Sequence, residues 1–341
     1  MPLIKSGRVL VTGASGFLAV EIVQQLLDAG FTVRGTVRAA SKGDYLVQLF
    51  NNPNFSYVIV EDSVASEAFT EAVRDCDGIM HTASPFHFNA NHPDKLIKPA
   101  VEGTLNLLRA AHGSDTVKRV VVTSSIAAIL EPTPTPVVFD ETHWNEHSIR
   151  EVHDKAEQAT QSDMYRASKS MAEKAAWAFM REQHPLFDLA CVNPSIIFGP
   201  PKQQITSPAN LNTSTAMFYD FINGKTKSLS APAGNYVDVR DVAMTHILAL
   251  SIEEAGGERF LCNSDKGGFT WQEVADILHA RLPEHDAVKK HVPMGERASA
   301  SVQQMGFSNA KAKHLLKQTF TPFEDSVVDT FHALCELEKA W

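Results

Sequence analysis

The sequence has few cysteines and no surplus of positive charge. Its 341 residues include only four cysteines, which are widely spaced and form no C-x-x-C pair, so no disulfide framework, zinc site or other metal site is expected. Acidic side chains outnumber basic ones by 40 to 31, and the formal net charge is -9. Because nucleic-acid phosphates require a concentrated positive surface, this balance argues against a nucleic-acid partner and favours a small molecule.

Long apolar runs are also missing. No uninterrupted apolar stretch reaches the roughly 18 to 20 residues that a membrane helix requires, since Arg, Asp or Pro interrupts each candidate. The N-terminal sequence MPLIKSGRVLVTG passes within a few residues into an apolar run followed by glycines, which leaves no room for a signal peptide. We therefore expect a cytosolic protein with no membrane partner.

Short β-branched runs alternate with longer amphipathic stretches in the first part of the chain. This alternation predicts an α/β fold with a doubly wound parallel sheet of the Rossmann type. Strands are predicted at residues 8–12, 31–37, 55–60, 78–82, 117–125 and 187–192, and helices at residues 17–29, 65–74, 95–112 and 163–183.

The composition changes after residue 193. Residues 194–234 are rich in Pro, Ser, Thr, Asn and Gly, and residues 251–341 combine short helical patterns with little strand signal. We predict that residues 1–193 form a nucleotide-binding domain to which residues 235–250 return. The segments 194–234 and 251–341 are predicted to form a smaller, mostly helical lobe that binds the substrate.

A glycine-rich turn separates the first predicted strand from the first predicted helix. In TGASGFLA, Gly13 and Gly16 precede the helix, and Ala19 stands one turn further on. Glycine lets the backbone approach a pyrophosphate, and the helix N-terminus offers free N–H groups and a favourable dipole. The turn therefore predicts a dinucleotide site, with a tight turn that binds no ligand as the alternative.

The end of the second predicted strand carries positive charge. An enzyme that uses NAD places an acidic residue there to bind the adenosine ribose, but no acid lies between Phe31 and Gly43. Arg38 and then Lys42 are the candidates for binding the 2′-phosphate of NADP, because a guanidinium can pair with a phosphate through two hydrogen bonds. Arg34 lies in mid-strand, and a solvated surface is the alternative for the whole cluster.

The segment YRASK places Tyr165 and Lys169 on one face of a predicted helix. An ammonium group near a phenol lowers the pKa of the tyrosine and makes it a better proton donor or acceptor near neutral pH. Ser124 and Ser125, about 40 residues upstream, follow a buried strand at the edge where open α/β sheets bind ligands. A Y-x-x-x-K pattern alone is most often surface helix, so it is the order of these motifs that favours a catalytic site.

Together these motifs resemble the extended short-chain dehydrogenase/reductase family. The sequence is most similar to the branch that contains plant dihydroflavonol 4-reductases and the yeast and fungal NADPH-dependent methylglyoxal, aldehyde and ketone reductases. The matches run in order from residue 8 to about residue 250: TGASGFLA, GTVR, HTASP, VEGTLNLLRAA, TSS, FDETHWN, YRASK, NPSIIFGP and YVDVRDVAMTHILAL.

The resemblance implies that Ser125, Tyr165 and Lys169 are catalytic. The implied reaction is NADPH-dependent reduction of an aldehyde or ketone, such as a keto ester or aryl ketone, by hydride transfer from the nicotinamide. Tyr165 would protonate the carbonyl oxygen, Ser125 would orient it, and Lys169 would hold the nicotinamide ribose. Ala19 stands where the family often has a third glycine, and we expect cofactor binding to survive this difference.

The expected cofactor contacts extend along the carboxyl edge of the sheet. Asp62 is a candidate acceptor for the adenine amino group, with a loop cap as the alternative, and we interpret Asn106 as structural. Pro194 and Ser195 are expected near the nicotinamide, or they shape the turn. The full set is Gly13, Ser15, Gly16, Phe17, Leu18, Arg38, Lys42, Asp62, Ser63, Thr82, Ala83, Ser84, Thr123, Tyr165, Lys169, Pro194, Ser195 and Ile197.

Apolar residues near the expected reaction centre predict a hydrophobic pocket for an aryl or alkyl carbonyl compound. Each of them could instead belong to the core, and His81, on a predicted strand, is interpreted as a hydrogen-bonded core residue. The predicted substrate contacts are Phe86, Ser125, Ile126, Met164 and Tyr165, with Phe88 and Phe198 as further apolar candidates.

Two other functions remain compatible with these motifs. A nucleotide-sugar epimerase or dehydratase on the same fold would retain NAD, and the Arg and Lys cluster counts against it. A non-catalytic dinucleotide-sensing protein would usually lack the tyrosine or the lysine, and both are present. The leading interpretation is an NADPH-dependent carbonyl reductase that is a monomer or a homodimer.

Overall fold

A parallel sheet of seven strands forms the centre of the molecule. The computed structural model describes residues 4–83, 92–226, 228–295 and 306–341. Along the described chain the strands are β1 (Arg8–Thr12), β2 (Thr32–Val37), β3 (Phe55–Ile59), β4 (Gly78–His81), β5 (Arg119–Thr123), β6 (Val138–Phe139), β7 (Asp188–Pro194), β8 (Ile196–Phe198), β9 (Pro232–Asp238), β10 (Arg259–Cys262), β11 (Gly268–Thr270) and β12 (Gly306–Phe307). The central sheet has the order β10-β7-β5-β4-β1-β2-β3, and all its neighbouring strands are parallel.

Helices cover both faces of this sheet. In chain order they are α1 (Phe17–Asp28), α2 (Ala40–Phe50), α3 (Thr70–Val73), α4 (Asp94–His112), α5 (His147–Lys155), α6 (Gln161–Gln183), α7 (Thr213–Ile222), α8 (Val239–Ser251), α9 (Trp271–Arg281), α10 (Asp286–His291), α11 (Ala310–Leu315) and α12 (Phe323–Glu338). Helices α1 and α8 pack together on one face, and α4 and α6 pack together on the other. Within the described ranges, no helix combines the length and apolar character needed to cross a membrane.

The strands are apolar because the sheet is buried on both sides. In β5, RVVVT, Val121 belongs to the core beneath α1 and α8, whereas Val120 and Val122 belong to the core beneath α4 and α6. Successive side chains of a strand point to opposite faces, so a continuous run of valines serves both cores. This explains why the run from residue 117 to 123 shows no alternation of apolar and polar residues.

The strand order creates a crevice at the carboxyl ends of β1 and β4. The chain passes from β1 outward to β2 and β3, then returns to β4 and continues to β5, β7 and β10 on the other side. Where the order reverses in this way, neighbouring loops turn to opposite faces and a ligand can bind between them. The predicted doubly wound sheet is confirmed, and the glycine turn after β1 lies at this crevice.

The residues beyond β7 contain more strand than the sequence indicated. A second sheet of order β11-β9-β8 lies with α7, α9 and α12 around a cluster of buried aromatic side chains. Strands β8 and β11 have three residues each and are too short to show a period of two, so their pattern cannot be distinguished from loop, whereas the longer β9 begins in the sequence PAG, which is typical of a turn. The aromatic cluster contains Phe198, Phe218, Phe221, Tyr236, Phe269 and Trp271.

The most consequential difference concerns β10. Residues 259–262 were predicted to belong to the substrate-binding lobe, but they pair in parallel with β7 and form an edge of the central sheet. The segment is recognisable as a strand only through this pairing, because four residues carry too little pattern. Helix α8 packs on α1, in agreement with the predicted return of residues 235–250, although β9 belongs to the second sheet. The rest of the division into two domains stays a prediction.

Two helices also differ from expectation. The helix predicted at residues 65–74 is reduced to α3, because Glu67 has a φ of 59° and Asp62 accepts a hydrogen bond from the N–H of Val64 in a tight turn. Helix α2 was missed, since Gly43 interrupts its pattern. That glycine is required by packing, because a Cβ atom there would lie 2.4 Å from the ring of Tyr57.

Candidate active site

The glycine turn after β1 has a fixed shape. Gly13 has a φ of +65°, and its N–H donates to Oγ1 of Thr36 at 3.0 Å. A Cβ atom on Gly13 would lie 3.2 Å from both Cα and Cβ of Ala83, so a side chain is excluded by the conformation and by the close approach of the loop after β4. The N–H of Gly16 closes the turn on the carbonyl of Gly13 at 2.9 Å.

The N-terminus of α1 faces a cavity of about 810 Å³. Gly16 is the N-cap residue and has no side chain with which to satisfy the first N–H groups of the helix. Gly13, Gly16, Phe17, Leu18 and Ala19 all line this cavity, whereas Ser15 lies in the turn without lining it. Free N–H groups and the positive end of a helix dipole bind phosphate, so the turn fits the pyrophosphate of a dinucleotide, with Ala19 accommodated.

Beyond β2, positive charge is available for a further phosphate. Arg38 is exposed and forms no hydrogen bond or ion pair with any described residue. Lys42 donates to Oε1 of Gln204 at 2.9 Å. Arg34 is neither solvated nor available, because its guanidinium donates to the carbonyls of Ala72 and Arg74 at 3.0 and 2.7 Å beside α3. Arg38 and Lys42 lie outside the cavity, and their contact with the cofactor stays a prediction.

The loop after β3 is held in place by hydrogen bonds from α4. Asp62 accepts a hydrogen bond from the N–H of Val64 at 2.9 Å, so it caps the loop, and its predicted contact with adenine is not tested. The amide of Asn106 donates to the carbonyls of Ser63, Val64 and Ala65 at 3.1, 3.0 and 3.2 Å. The structural interpretation of Asn106 is thereby confirmed.

Polar side chains join the ends of β1 and β4. Thr82 donates to the carbonyl of Thr12 at 2.5 Å, and Oγ1 of Thr12 accepts from the N–H of Ala83 at 3.0 Å. His81 lies between Thr12, at 2.9 Å, and Thr104, at 3.4 Å. Burial lowers the pKa of His81 to about 3, so it is a neutral core residue, as interpreted. Of these residues Thr82 lines the cavity; the neighbouring Ser84 lies outside the described residues.

The predicted catalytic side chains meet in the same cavity. Ser125, Tyr165 and Lys169 all line it, and the side chain of Ser125 is hydrogen-bonded to the phenol of Tyr165. The Nζ atom of Lys169 lies 5.9 Å from the centre of the Tyr165 ring. Oγ of Ser125 also accepts from the N–H of Ala127 at 3.1 Å, which fixes the serine at the start of a short 3-10 turn.

Burial dominates the electrostatics of this pair. It raises the pKa of Tyr165 to about 12, opposed by the hydrogen bond from Ser125, and it lowers the pKa of Lys169 to about 8, opposed by the charge of Glu173. The expectation that Lys169 lowers the tyrosine pKa is therefore wrong for this arrangement, because burial of the phenol raises the pKa, and the hydrogen bond from Ser125 rather than the ammonium opposes it. The phenol is protonated at neutral pH and can donate a proton.

A buried polar network lies directly behind these residues, and sequence reasoning missed it. Ser124 donates to Oε2 of Glu173 at 2.5 Å, and the amide of Asn193 donates both to that atom, at 2.8 Å, and to the carbonyl of Ser125, at 3.2 Å. Arg259, on β10, donates from Nε to Oε1 of Glu173 at 2.6 Å. The signal that could have indicated Glu173 is its position four residues after Lys169, on the same face of α6.

The predicted nicotinamide contacts also lie at the cavity. Thr123, Pro194, Ser195 and Ile197 line it, at the ends of β5 and β7 and in β8. The hydroxyl of Thr123 is 2.7 Å from Nε2 of His246, and burial lowers the pKa of that histidine to about 4. The Oγ atom of Ser195 is buried and has no hydrogen-bond partner among the described residues, so the site offers a polar atom for a ligand.

Only some of the predicted substrate contacts line the cavity. Ile126 lines the cavity, but Met164 is buried against Leu96, Ile97 and Val152, because its side chain leaves α6 on the side facing α4 and α5. Phe198 is also core, in the aromatic cluster. Phe86 and Phe88 lie outside the described residues. Cavity residues that the sequence did not indicate include Leu130, Ser162, Arg166, Thr213, Met217 and Phe307.

The fold and the site together define a Rossmann-type dinucleotide-binding protein with a serine, a tyrosine and a lysine at the end of the binding crevice. The sequence profile of the NAD dependent epimerase/dehydratase family matches residues 9–262. The chain belongs to this family. This agrees with the resemblance to extended short-chain dehydrogenases/reductases.

Individual relatives cover almost the whole chain. A ketoreductase of Aspergillus niger is 38% identical over 346 residues, which cover 96% of this chain and 98% of that protein. A putative NADPH-dependent methylglyoxal reductase of Candida albicans is 36% identical, covering 95% and 97%. The crystal structure of Gre2 from Candida albicans in complex with NADPH superimposes with a TM-score of 0.86 at 36% identity, covering 97% of this chain and 99% of that one. Vestitone reductase from alfalfa has a TM-score of 0.77 at 25% identity, covering 98% and 100%.

Proposed function

We propose that this protein is an NADPH-dependent reductase that converts aldehydes or ketones to alcohols. The observation that carries the proposal is the hydrogen-bonded pair of Ser125 and Tyr165, with Lys169, in the cavity that the glycine turn also lines. The similarity to reductases named for NADPH supports the same cofactor here. The absence of an acid after β2, where Arg38 stands, supports it independently.

The chain's own residues supply binding, orientation and a proton. NADPH, when bound, supplies the hydride. Ser125 orients the carbonyl oxygen of the substrate, and the hydroxyl of Tyr165 donates the proton as negative charge develops on that oxygen. Lys169 contributes positive charge and hydrogen-bond donors beside the tyrosine. The buried Glu173 stabilises the charged form of the lysine, whose pKa burial would otherwise lower further.

The direct test follows the loss of NADPH absorbance with purified protein and a panel of carbonyl compounds. The panel runs from methylglyoxal through α- and β-keto esters to aryl ketones and a dihydroflavonol. We expect consumption of NADPH with at least one class of carbonyl compound. Tight binding of NADPH without turnover on any compound would favour a sensing protein. Protein that purifies with NAD bound and is inert with ketones would favour an epimerase or dehydratase.

Selectivity for NADPH over NADH should depend on Arg38. In Arg38→Ala we expect KM for NADPH to rise by roughly 10- to 100-fold, because a charge-assisted contact to the 2′-phosphate contributes about 1.5–3 kcal/mol. The KM for NADH should change little. Steady-state kinetics with both cofactors measure the two effects, and Arg74→Ala is the matched control, since the exposed Arg74 pairs, among the described residues, with the exposed Glu71 alone. Unchanged kinetics with NADPH would exclude Arg38 from cofactor binding.

A further inference from the structure

We propose that Arg166 binds a carboxylate on the substrate, so that the preferred carbonyl compounds are oxo acids. The inference rests on the proposed reductase function and adds the class of substrate to it. Arg166 follows Tyr165 directly in α6 and lines the cavity beside it. Ser162, one helical turn earlier on the same face, lines the cavity as well. Arg166 therefore lines the same cavity as Tyr165 and Lys169.

The guanidinium of Arg166 has no hydrogen-bonded counter-ion among the described residues. It forms no hydrogen bond or ion pair with any of them, although it is half-buried. The acid nearest in sequence, Asp163, does interact with this charge: burial would raise the pKa of Asp163, but hydrogen bonds from Thr160 and Ser148 and the charge of Arg166 lower it. The carboxylate oxygens of Asp163 nevertheless accept from other groups, Oγ of Ser148 at 2.8 Å and Oγ1 of Thr160 at 2.6 Å. Arginine stays protonated at any ordinary pH. Its charge is thus available to a ligand.

The cavity as a whole is positively charged. Among the described residues that line it, the ionisable side chains besides Tyr165 are Lys169 and Arg166, and none is acidic. A half-buried guanidinium that forms no direct ion pair is stabilised further when a ligand supplies negative charge within hydrogen-bond distance. A guanidinium pairs with a carboxylate through two parallel hydrogen bonds, which also fixes the orientation of the bound molecule. An oxo acid would meet this requirement while presenting its carbonyl group to Tyr165.

The position of Arg166 separates it from the expected phosphates of the cofactor. The pyrophosphate is expected at the N-terminus of α1, and the 2′-phosphate at Arg38 beyond β2. Arg166 instead follows the proton donor in sequence. Apolar side chains also line the cavity and would accommodate the carbon chain of the substrate: Ile126, Leu130, Met217 and Phe307.

The test compares oxo acids with their own methyl esters, which lack the negative charge and carry one additional methyl group. The pairs place the carboxyl at different distances from the ketone: 2-oxo, 4-oxo and 5-oxo acids. Wild-type protein should show a higher kcat/KM for at least one acid than for its ester. In Arg166→Gln, kcat/KM for that acid should fall by roughly 10- to 100-fold, the range for charge-assisted hydrogen bonds. The ester should be reduced at nearly the wild-type rate.

Two controls separate this role from others. Arg150→Gln removes an exposed guanidinium from α5, outside the cavity, and should leave the preference for the acid intact. The dissociation constant of NADPH should be the same for Arg166→Gln and wild type. A weaker NADPH complex in that variant would assign Arg166 to the cofactor and overturn the proposal.

The remaining outcomes distinguish this proposal from the proposed function. Efficient reduction of the esters with no preference for any acid would overturn the carboxylate proposal and leave the reductase function standing. Equal losses of kcat/KM for the acid and for its ester in Arg166→Gln would likewise overturn the carboxylate proposal and leave the reductase function standing. A preference confined to carbonyl compounds that carry a phosphate monoester would also overturn it. No turnover with any compound, acid or ester, would overturn both.

Discussion

Tyr165→Phe should lose nearly all carbonyl reduction while binding NADPH almost as well as wild type. The phenylalanine ring can keep the packing of Tyr165 against the apolar side chains between α4 and α6, so the change removes little more than the hydroxyl. That hydroxyl is the proposed proton donor, and general acid catalysis contributes on the order of 10²- to 10⁴-fold. We therefore expect kcat to fall by roughly that factor.

Two measurements check this result. Steady-state kinetics give kcat, and fluorescence titration gives the dissociation constant of NADPH. Tyr219→Phe is the matched control, because the hydroxyl of Tyr219 donates to Glu338 at 2.7 Å and lies outside the cavity. A Tyr165→Phe variant that keeps most of the wild-type kcat would exclude Tyr165 as the proton donor and leave the source of the proton to be sought elsewhere.

Glu173→Gln should cost about 3–5 kcal/mol of the free energy of unfolding, the usual penalty for breaking a buried ion pair. Glu173 is 1% exposed, and its carboxylate is the counter-charge of Arg259. Glutamine keeps the size of the side chain but leaves the guanidinium buried without a negative partner. The hydrogen bonds from Ser124 and Asn193, which locate the backbone of Ser125, would weaken at the same time. Both stability and kcat should therefore fall.

The dependence of activity on pH provides a second test of Glu173→Gln. The charge of Glu173 raises the pKa of Lys169, which burial lowers to about 8. Removing that charge lowers the lysine pKa further, so Lys169 loses its proton at a lower pH. The alkaline limb of the activity profile should move to lower pH in Glu173→Gln. If the alkaline limb did not move, Glu173 would stabilise the fold without affecting the protonation of Lys169.

Controls for the loss of stability are available in the same chain. Glu182→Gln, near the exposed end of α6, should have almost no effect on denaturant unfolding. Combining Glu173→Gln with Arg259→Met should recover part of the lost stability, because the guanidinium is then no longer buried without its negative partner. If Glu173→Gln unfolded at the same denaturant concentration as Glu182→Gln, the buried pair would not stabilise the protein.

The sequence predicted well those features that are encoded locally. Strands β1, β2, β3, β5 and β7 are long enough for their apolar runs to be recognised, and the glycine turn combines a strand, a tight turn and a helix in one continuous segment. The resemblance to a family then ordered the serine, the tyrosine and the lysine into one site. All three line the same cavity, although their roles in catalysis stay predictions.

Features that depend on contacts distant in sequence could not be predicted in this way. Met164 and Arg166 are neighbours of the same tyrosine, yet one is core and the other lines the cavity, since the direction of each side chain depends on what packs against α6. Arg34 could be assigned only when α3 was seen beside it. The shift of the tyrosine pKa was predicted in the wrong direction, because burial, which a sequence does not reveal, raises this pKa.

The pairing of Arg259 with Glu173 also has a consequence for biosynthesis. The ribosome makes α6 and β7 well before it reaches the short strand at residues 259–262. Until that strand emerges and pairs with β7, Arg259 cannot bind Glu173, and the network behind Ser125 lacks its guanidinium. Maturation of the active site is therefore tied to a late step of translation, and a chain that stalls before that strand would display the YRASK helix without a completed centre around it.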